Sequence, residues 1–158
     1  MGNRVSASIT IGGQVSHEDY LALAQLIADE GLACEWDGPP FEAGDHAEGE
    51  ALHLFAHEVA GGRFDALEAK CRELGLAYAR WSDGFTGEWG PYRVVCTSEG
   101  EPAVYPVDED DVVVICREDL EAKGSLEAVY AWFDMADFAV PPLLVGGGQG
   151  SPAGRAVP

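Results

Sequence analysis

"GLAYARW" (75–81) echoes "GLACEW" (31–36), and the echo decides how the chain is read. Each stretch opens on a glycine placed to end a helix in the left-handed conformation. Each then alternates apolar residues and reaches a tryptophan shortly before an Asp-Gly turn, Asp37-Gly38 or Asp83-Gly84. What precedes the two stretches is also alike. Before the first, Val5, Ala7, Ile9 and Ile11 alternate with Ser6, Ser8 and Thr10, the period of a half-buried strand, which Gly12-Gly13 closes. Ser16 caps a helix with acids in its first turn and Tyr20, Leu23, Ala24 and Ile27 on its buried side. Before the second, "ALHLFA" (51–56) reads as a strand. "GRFDALEAKCREL" (62–74) reads as a helix with Phe64, Leu67, Cys71 and Leu74 in one stripe. Two successive β-α-β units predict an α+β fold with a ferredoxin-like (split βαβ) core, β-α-β-β-α-β, over residues 1–84.

Residues 85–145 read as a C-terminal extension of strands and a helix packed on that core. "GEWGPYRVVCT" (87–97) and "DVVVIC" (111–116) look like strands, joined by a segment whose prolines keep it from a central position. "GSLEAVYAWFDMADF" (124–138) is a helix capped by Ser125 with Leu126, Val129, Tyr130 and Phe133 expected inward. Residues 146–158 are Gly/Pro-rich and read as a disordered tail. The free face of the sheet is left either to the last helix or to a twin subunit, which makes a homodimer one of the open arrangements.

The charge is the unusual property. With 28 Asp and Glu against 9 Lys and Arg, the formal net charge is −19, which disfavours direct contact with nucleic acid. Its distribution matters more than its size. Between Arg4 and Arg63 there is no Lys or Arg, yet Glu18, Asp19, Asp29, Glu30, Glu35, Asp37, Glu42, Asp45, Glu48, Glu50 and Glu58 all fall there. A second basic-free run, 94–116, holds Glu99, Glu101 and the quartet Asp108, Glu109, Asp110 and Asp111. Local cations are too few to neutralise these carboxylates, so an unscreened field is expected over about a Debye length, roughly 8 Å. The quartet reads either as a binding patch, as a divalent-cation trap, or as a solvated turn that blunts a strand edge. Cys34, Cys71, Cys96 and Cys116 have no metal-ligand spacing and are expected as buried thiols. No stretch approaches a membrane span, and the expected location is the cytoplasm.

Nucleophile elbows, phosphate loops and dinucleotide fingerprints are absent, so neither catalytic residues nor a cofactor are assigned. His53 and His57 alternate with Phe55 on one strand and are the candidate metal ligands, completed if at all by Asp45, His46 or Glu48. Against that stands a pair of histidines at a sheet edge with no metal. Trp36, Phe41 and Trp89 are the aromatic residues expected to be exposed and to anchor a partner.

The runs "SASITIGGQVSHEDYLALAQLIADEGLACEWDGPPF" and "GRFDALEAKCRELGLAYARWSDG" resemble small acidic accessory proteins of phages and plasmids. The resemblance carries structural motifs and no catalytic ones. It implies a setting in which such proteins inhibit host defence nucleases, as acidic, ferredoxin-like anti-CRISPR proteins do by acting as DNA mimics. The expectation is therefore a non-enzymatic interaction protein that docks on a basic, nucleic-acid-binding host surface. Its contacts would be Glu35, Trp36, Asp37, Phe41, Glu42, Asp45, Glu48, Glu50 and Trp89, with the quartet as a second patch. The rival expectations are a small metal-dependent hydrolase built on His53 and His57, and an intracellular small-ligand-binding domain.

Overall fold

A computed structural model describes residues 3–146. The elements, in chain order, are β1 (Arg4–Ser16), α1 (His17–Asp29), one turn of 3-10 helix (Ala43–Asp45), β2 (Leu52–Ala60), α2 (Asp65–Glu73) and β3 (Ala77–Ser82). After these come β4 (Tyr92–Cys96), β5 (Ala103–Pro106), α3 (Arg117–Lys123), α4 (Leu126–Ala136) and β6 (Leu143–Gly146). The fold is α+β. Its sheet has six strands in the order β2-β1-β3-β4-β5 with antiparallel neighbours, and β6 lies parallel to the far end of β1.

The strand order does not confirm the split βαβ reading, because the strand expected over 32–36 is absent. Only Ala33 pairs with β2, through Ala33 N–H to Phe55 O at 3.0 Å and Phe55 N–H to Ala33 O at 2.8 Å. Local chemistry explains the shortfall. Gly38 N–H bonds Glu35 O at 3.1 Å, turning the chain back at Trp36-Asp37, and Pro39-Pro40 bring no donors to a ladder. The glycines at 12–13 do not close β1 as the sequence pattern implied. A Cβ on Gly12 would lie 1.7 Å from Pro141 O, so the bare backbone lets the returning chain cross. Past that crossing β1 continues to Ser16 alongside β6.

One face of the sheet packs against α1 and α2. Ile9, Ile11, Leu54 and Tyr78 meet Leu23, Ile27, Leu67 and Cys71 there, all fully buried. Each such aliphatic side chain contributes about 1.5–3 kcal/mol on burial. Ser16 caps α1 by accepting from Asp19 N–H at 3.0 Å, and Tyr20, Leu23, Ala24 and Ile27 are buried as the helical period predicts. The opposite face carries a second core of Val95, Tyr105, Val107, Val113 and Ala136, with Trp81, Trp132 and Phe133 packed on it. The α4 residues that build this core are Trp132, Phe133 and Ala136, at spacings of three and four, with Val129 buried one turn earlier. Leu126 and Tyr130, expected inward, are 66% and 61% exposed instead.

The chain differs from its reading in further places. "DVVVIC" is not a strand: it makes a single bridge, Val113 to Val107, across a tight turn. The additional strand is β5, drawn from the proline-flanked joining segment; its strand partner is β4, and Pro106 O also accepts from Val114 N–H at 3.0 Å. Cys34 and Cys116 are exposed, and only Cys71 and Cys96 are buried. Of the tail read over 146–158, Gly146 instead ends β6, paired with Ser16, and 147–158 lie outside the described residues. Among the described residues no helix is long and apolar enough to cross a membrane.

Candidate functional site

The loop between α1 and β2 carries most of the candidate contacts. Glu35, Glu42, Asp45, Glu48 and Glu50 are all exposed, and none forms an ion pair among the described residues. Glu42 and Asp45 bond reciprocally to each other's backbone, with Glu42 N–H to Asp45 Oδ2 at 2.9 Å, and this box holds the single 3-10 turn. The uncompensated field reaches neighbouring groups. The Tyr20 hydroxyl and the Cys34 thiol both titrate above their ordinary ranges, first through burial and next through the Asp45 carboxylate.

The three aromatic candidates separate. Trp36 is 40% exposed and sits at the tip of the turn. Its ring lies 4.9 Å from Phe55, 5.0 Å from His57 and 6.4 Å from Trp81, so it covers part of the second sheet face. Phe41 is not exposed: at 3% accessibility it belongs to the main core, and its N–H to Leu32 O at 3.0 Å ties the acidic loop to the end of α1. Trp89 is half-buried, stacked on Phe85 at 5.5 Å and donating Nε1–H to Asp83 O at 3.0 Å, which leaves it little freedom to anchor a partner.

The quartet is only half free. Asp108 accepts from Asp110 N–H at 2.9 Å and from Val112 N–H at 3.0 Å, which makes it the organiser of the turn. Asp111 pairs with Arg93 at 3.0 Å, and Arg93 also binds Asp137 at 2.9 Å. Glu109 and Asp110 are exposed and have no ion-pair partner among the described residues.

The two strand histidines do share a face of β2, but each is engaged by a hydroxyl of β1. Thr10 Oγ1 lies 3.0 Å from His53 Nδ1, and Ser6 Oγ lies 2.8 Å from His57 Nδ1. His46 is held elsewhere, donating Nε2–H to Leu143 O at 2.8 Å. Among the described residues no group of three or more His, Cys, Asp or Glu side chains is gathered as a metal would need.

Asp37 Oδ1 stands 3.2 Å from His57 Nε2, so Ser6, His57 and Asp37 form one chain. A cleft of about 680 Å³ borders it, lined also by Arg4, Glu58, Asp83, Gly84, Phe85 and Thr86. Two backbones here are left-handed without being glycine, Asp37 at φ 61° and Glu58 at φ 58°; the other such residue among those described is Asp111. Sequence reading placed Asp37 on its candidate docking surface and His57 among its candidate metal ligands, but missed Ser6 and Arg4. The available signal was the outward alternation of Arg4, Ser6, Ser8 and Thr10 on β1 beside that of His53 and His57 on β2. The register between the strands, with its bulge near Val5 and Ala7, was not visible.

Comparison with family models, curated proteins and solved structures finds no match to this chain.

Proposed function

We propose that the chain is an acidic docking protein whose α1–β2 loop engages a cationic, nucleic-acid-binding surface of another protein. The observation that carries this reading is the set of five exposed carboxylates, Glu35, Glu42, Asp45, Glu48 and Glu50, without an ion pair among the described residues. Carboxylates free of cations stand ready to take the place of phosphates on a basic partner, and their field speeds encounter with it. Trp36 supplies the aromatic centre that rim charges alone lack. Within the α+β fold, β1-α1-Ala33 bridge-β2-α2-β3 is read as a ferredoxin-like unit whose second strand is worn to one bridge. The likeness to acidic mobile-element proteins favours a host nucleic-acid-binding complex as the partner, in the cytoplasm.

The test is an affinity capture from host lysate at low and high salt, with partners identified by mass spectrometry. It is then repeated with Glu48→Lys/Glu50→Lys, two side chains that make no hydrogen bond or ion pair among those described. Charge reversal should slow association with the captured partner by about tenfold or more at low salt. Capture that is indifferent both to salt and to the double reversal refutes the electrostatic reading.

A further inference from the structure

We infer that Ser6, His57 and Asp37 form a hydroxyl-nucleophile site able to cleave uncharged or cationic carboxylic esters, an activity separate from docking. The Asp37 carboxylate stands 3.2 Å from His57 Nε2, a charge contact that favours the tautomer with its proton on Nε2. In that tautomer Nδ1 presents its lone pair to the Ser6 hydroxyl at 2.8 Å, the arrangement a general base needs. Trp36, centred 5.0 Å from the imidazole and tilted 35° to it, packs against one side of the half-exposed ring.

A second observation is independent of those bonds. Two of the three non-glycine residues with positive φ among those described, Asp37 and Glu58, border this one cleft. Such backbone strain gathers where geometry is held for function. Arg4 lies two residues before Ser6, lines the cleft, donates Nη1–H to Glu58 O at 2.9 Å and has no ion pair among the described residues. Its remaining N–H groups are the donors assigned to the oxyanion. Asp37, Glu58 and Asp83 line the same space and oppose anionic substrates, while Phe85 gives an apolar wall.

The step balances without redox chemistry. Ser6 Oγ bonds to the ester carbonyl carbon as its proton passes to His57 Nδ1. The bond from that carbon to the alcohol oxygen breaks, and the same proton goes to the departing alkoxide. Water then attacks the acyl-serine ester, losing a proton to His57, which returns it to Ser6 Oγ as the carboxylic acid leaves. Ser6 and His57 are the catalytic residues. Asp37 is a positioning residue.

The full chain is treated with an alkyl fluorophosphonate and mapped by mass spectrometry, with Ser8 and Ser16 on the same strand as internal controls. The expected result is an adduct at Ser6 alone, formed about 100-fold more slowly in His57→Gln. Asp37→Asn should slow it about tenfold. Asparagine tolerates the left-handed backbone at this position, so that loss reports the missing charge, and Asp37→Glu should restore part of the rate. Unchanged melting temperatures establish that the variants fold. No Ser6 adduct, equal labelling of Ser8 or Ser16, or a rate unaffected by His57→Gln overturns the site. Turnover of p-nitrophenyl acetate should exceed that of its anionic succinate counterpart. Labelling without turnover overturns the hydrolase assignment, and equal rates overturn the charge selection.

Discussion

Replacing Glu68 by alanine should remove a large part of the protein's stability, because it strands a charge inside the molecule. Glu68 on α2 and Arg80 on β3 have side chains only 8% and 5% exposed, with Oε2 and Nε 2.7 Å apart. The contact is close but poorly aligned with the Nε–H, so much of its value is Coulombic. The carboxylate also accepts from Phe64 N–H at 2.8 Å, and the guanidinium donates to Gly62 O and to the Tyr92 hydroxyl. In Glu68→Ala the guanidinium keeps only neutral acceptors, and removing one partner of a buried pair costs about 3–5 kcal/mol. For a chain of this size that is a fall in Tm of roughly 6–20 °C. Urea unfolding followed by tryptophan fluorescence measures it directly. The double variant Glu68→Leu/Arg80→Met leaves no uncompensated charge and should recover most of the loss. A single-variant loss below about 1 kcal/mol, or a double variant worse than the single one, would refute the reasoning that this pair clamps α2 to β3.

Thiol reactivity gives a second check. Cys34 and Cys116 are exposed and should react with an aromatic disulfide reagent in the native protein. Cys71, pushed up to about 12 by burial, and the buried Cys96 should react only after unfolding. Four fast thiols in the native state would contradict the packing of α2. Stability should also respond to pH in a direction unusual for carboxylates. Glu30 and Asp111 both titrate above their ordinary range, burial being the first cause in each. Glu30 is raised further by Asp65, Glu68 and Asp29, whereas Arg93 pulls Asp111 back. A raised folded pKa means that the native state holds the proton more tightly than the unfolded chain. Their contribution is therefore present at the acid end and lost as pH rises through the folded value. Tm at about pH 4 should exceed that at about pH 8, and the opposite order would count against this account.

Elements with a strong period were legible in the sequence: β1 from its alternation, α1 and α2 from their stripes, β2 and β3 as the strands before and after α2. What escaped was set by tertiary context. The first copy of the echoed motif has the apolar alternation of a strand, but Gly38-Pro39-Pro40 fold it back so that Ala33 alone pairs. In "DVVVIC", β-prone valines lost to the Asp108 carboxylate, which captures two backbone amides and winds the segment into a turn. The residues of α3, "REDLEAK", include no buried side chain, so its sequence shows no core-facing stripe. The face of α4 was misjudged because its apolar arc is wider than the stripe the second core uses, and Leu126 and Tyr130 lie on the surplus. Phe41 sat among prolines and acids and read as surface, yet it is the plug that seats the acidic loop. Of the candidate site, the loop carboxylates were readable from the lack of nearby cations. The Ser6–His57–Asp37 chain was not, since it depends on the β1–β2 register and on where the turn at Trp36-Asp37 lands.

The double role of β1 bears on how the molecule is made. Its first half is paired by β2 and β3, but Gly13 to Ser16 are matched only by Leu143 to Gly146, from the other end of the described chain. During synthesis that stretch leaves the ribosome long before Leu143 to Gly146 and must wait for its mate. Contacts so distant along the chain slow folding, and an unmatched strand segment invites wrong neighbours in the interval. Gly12, which admits the returning Pro141 backbone and tolerates no side chain, is then the gate through which this late pairing passes.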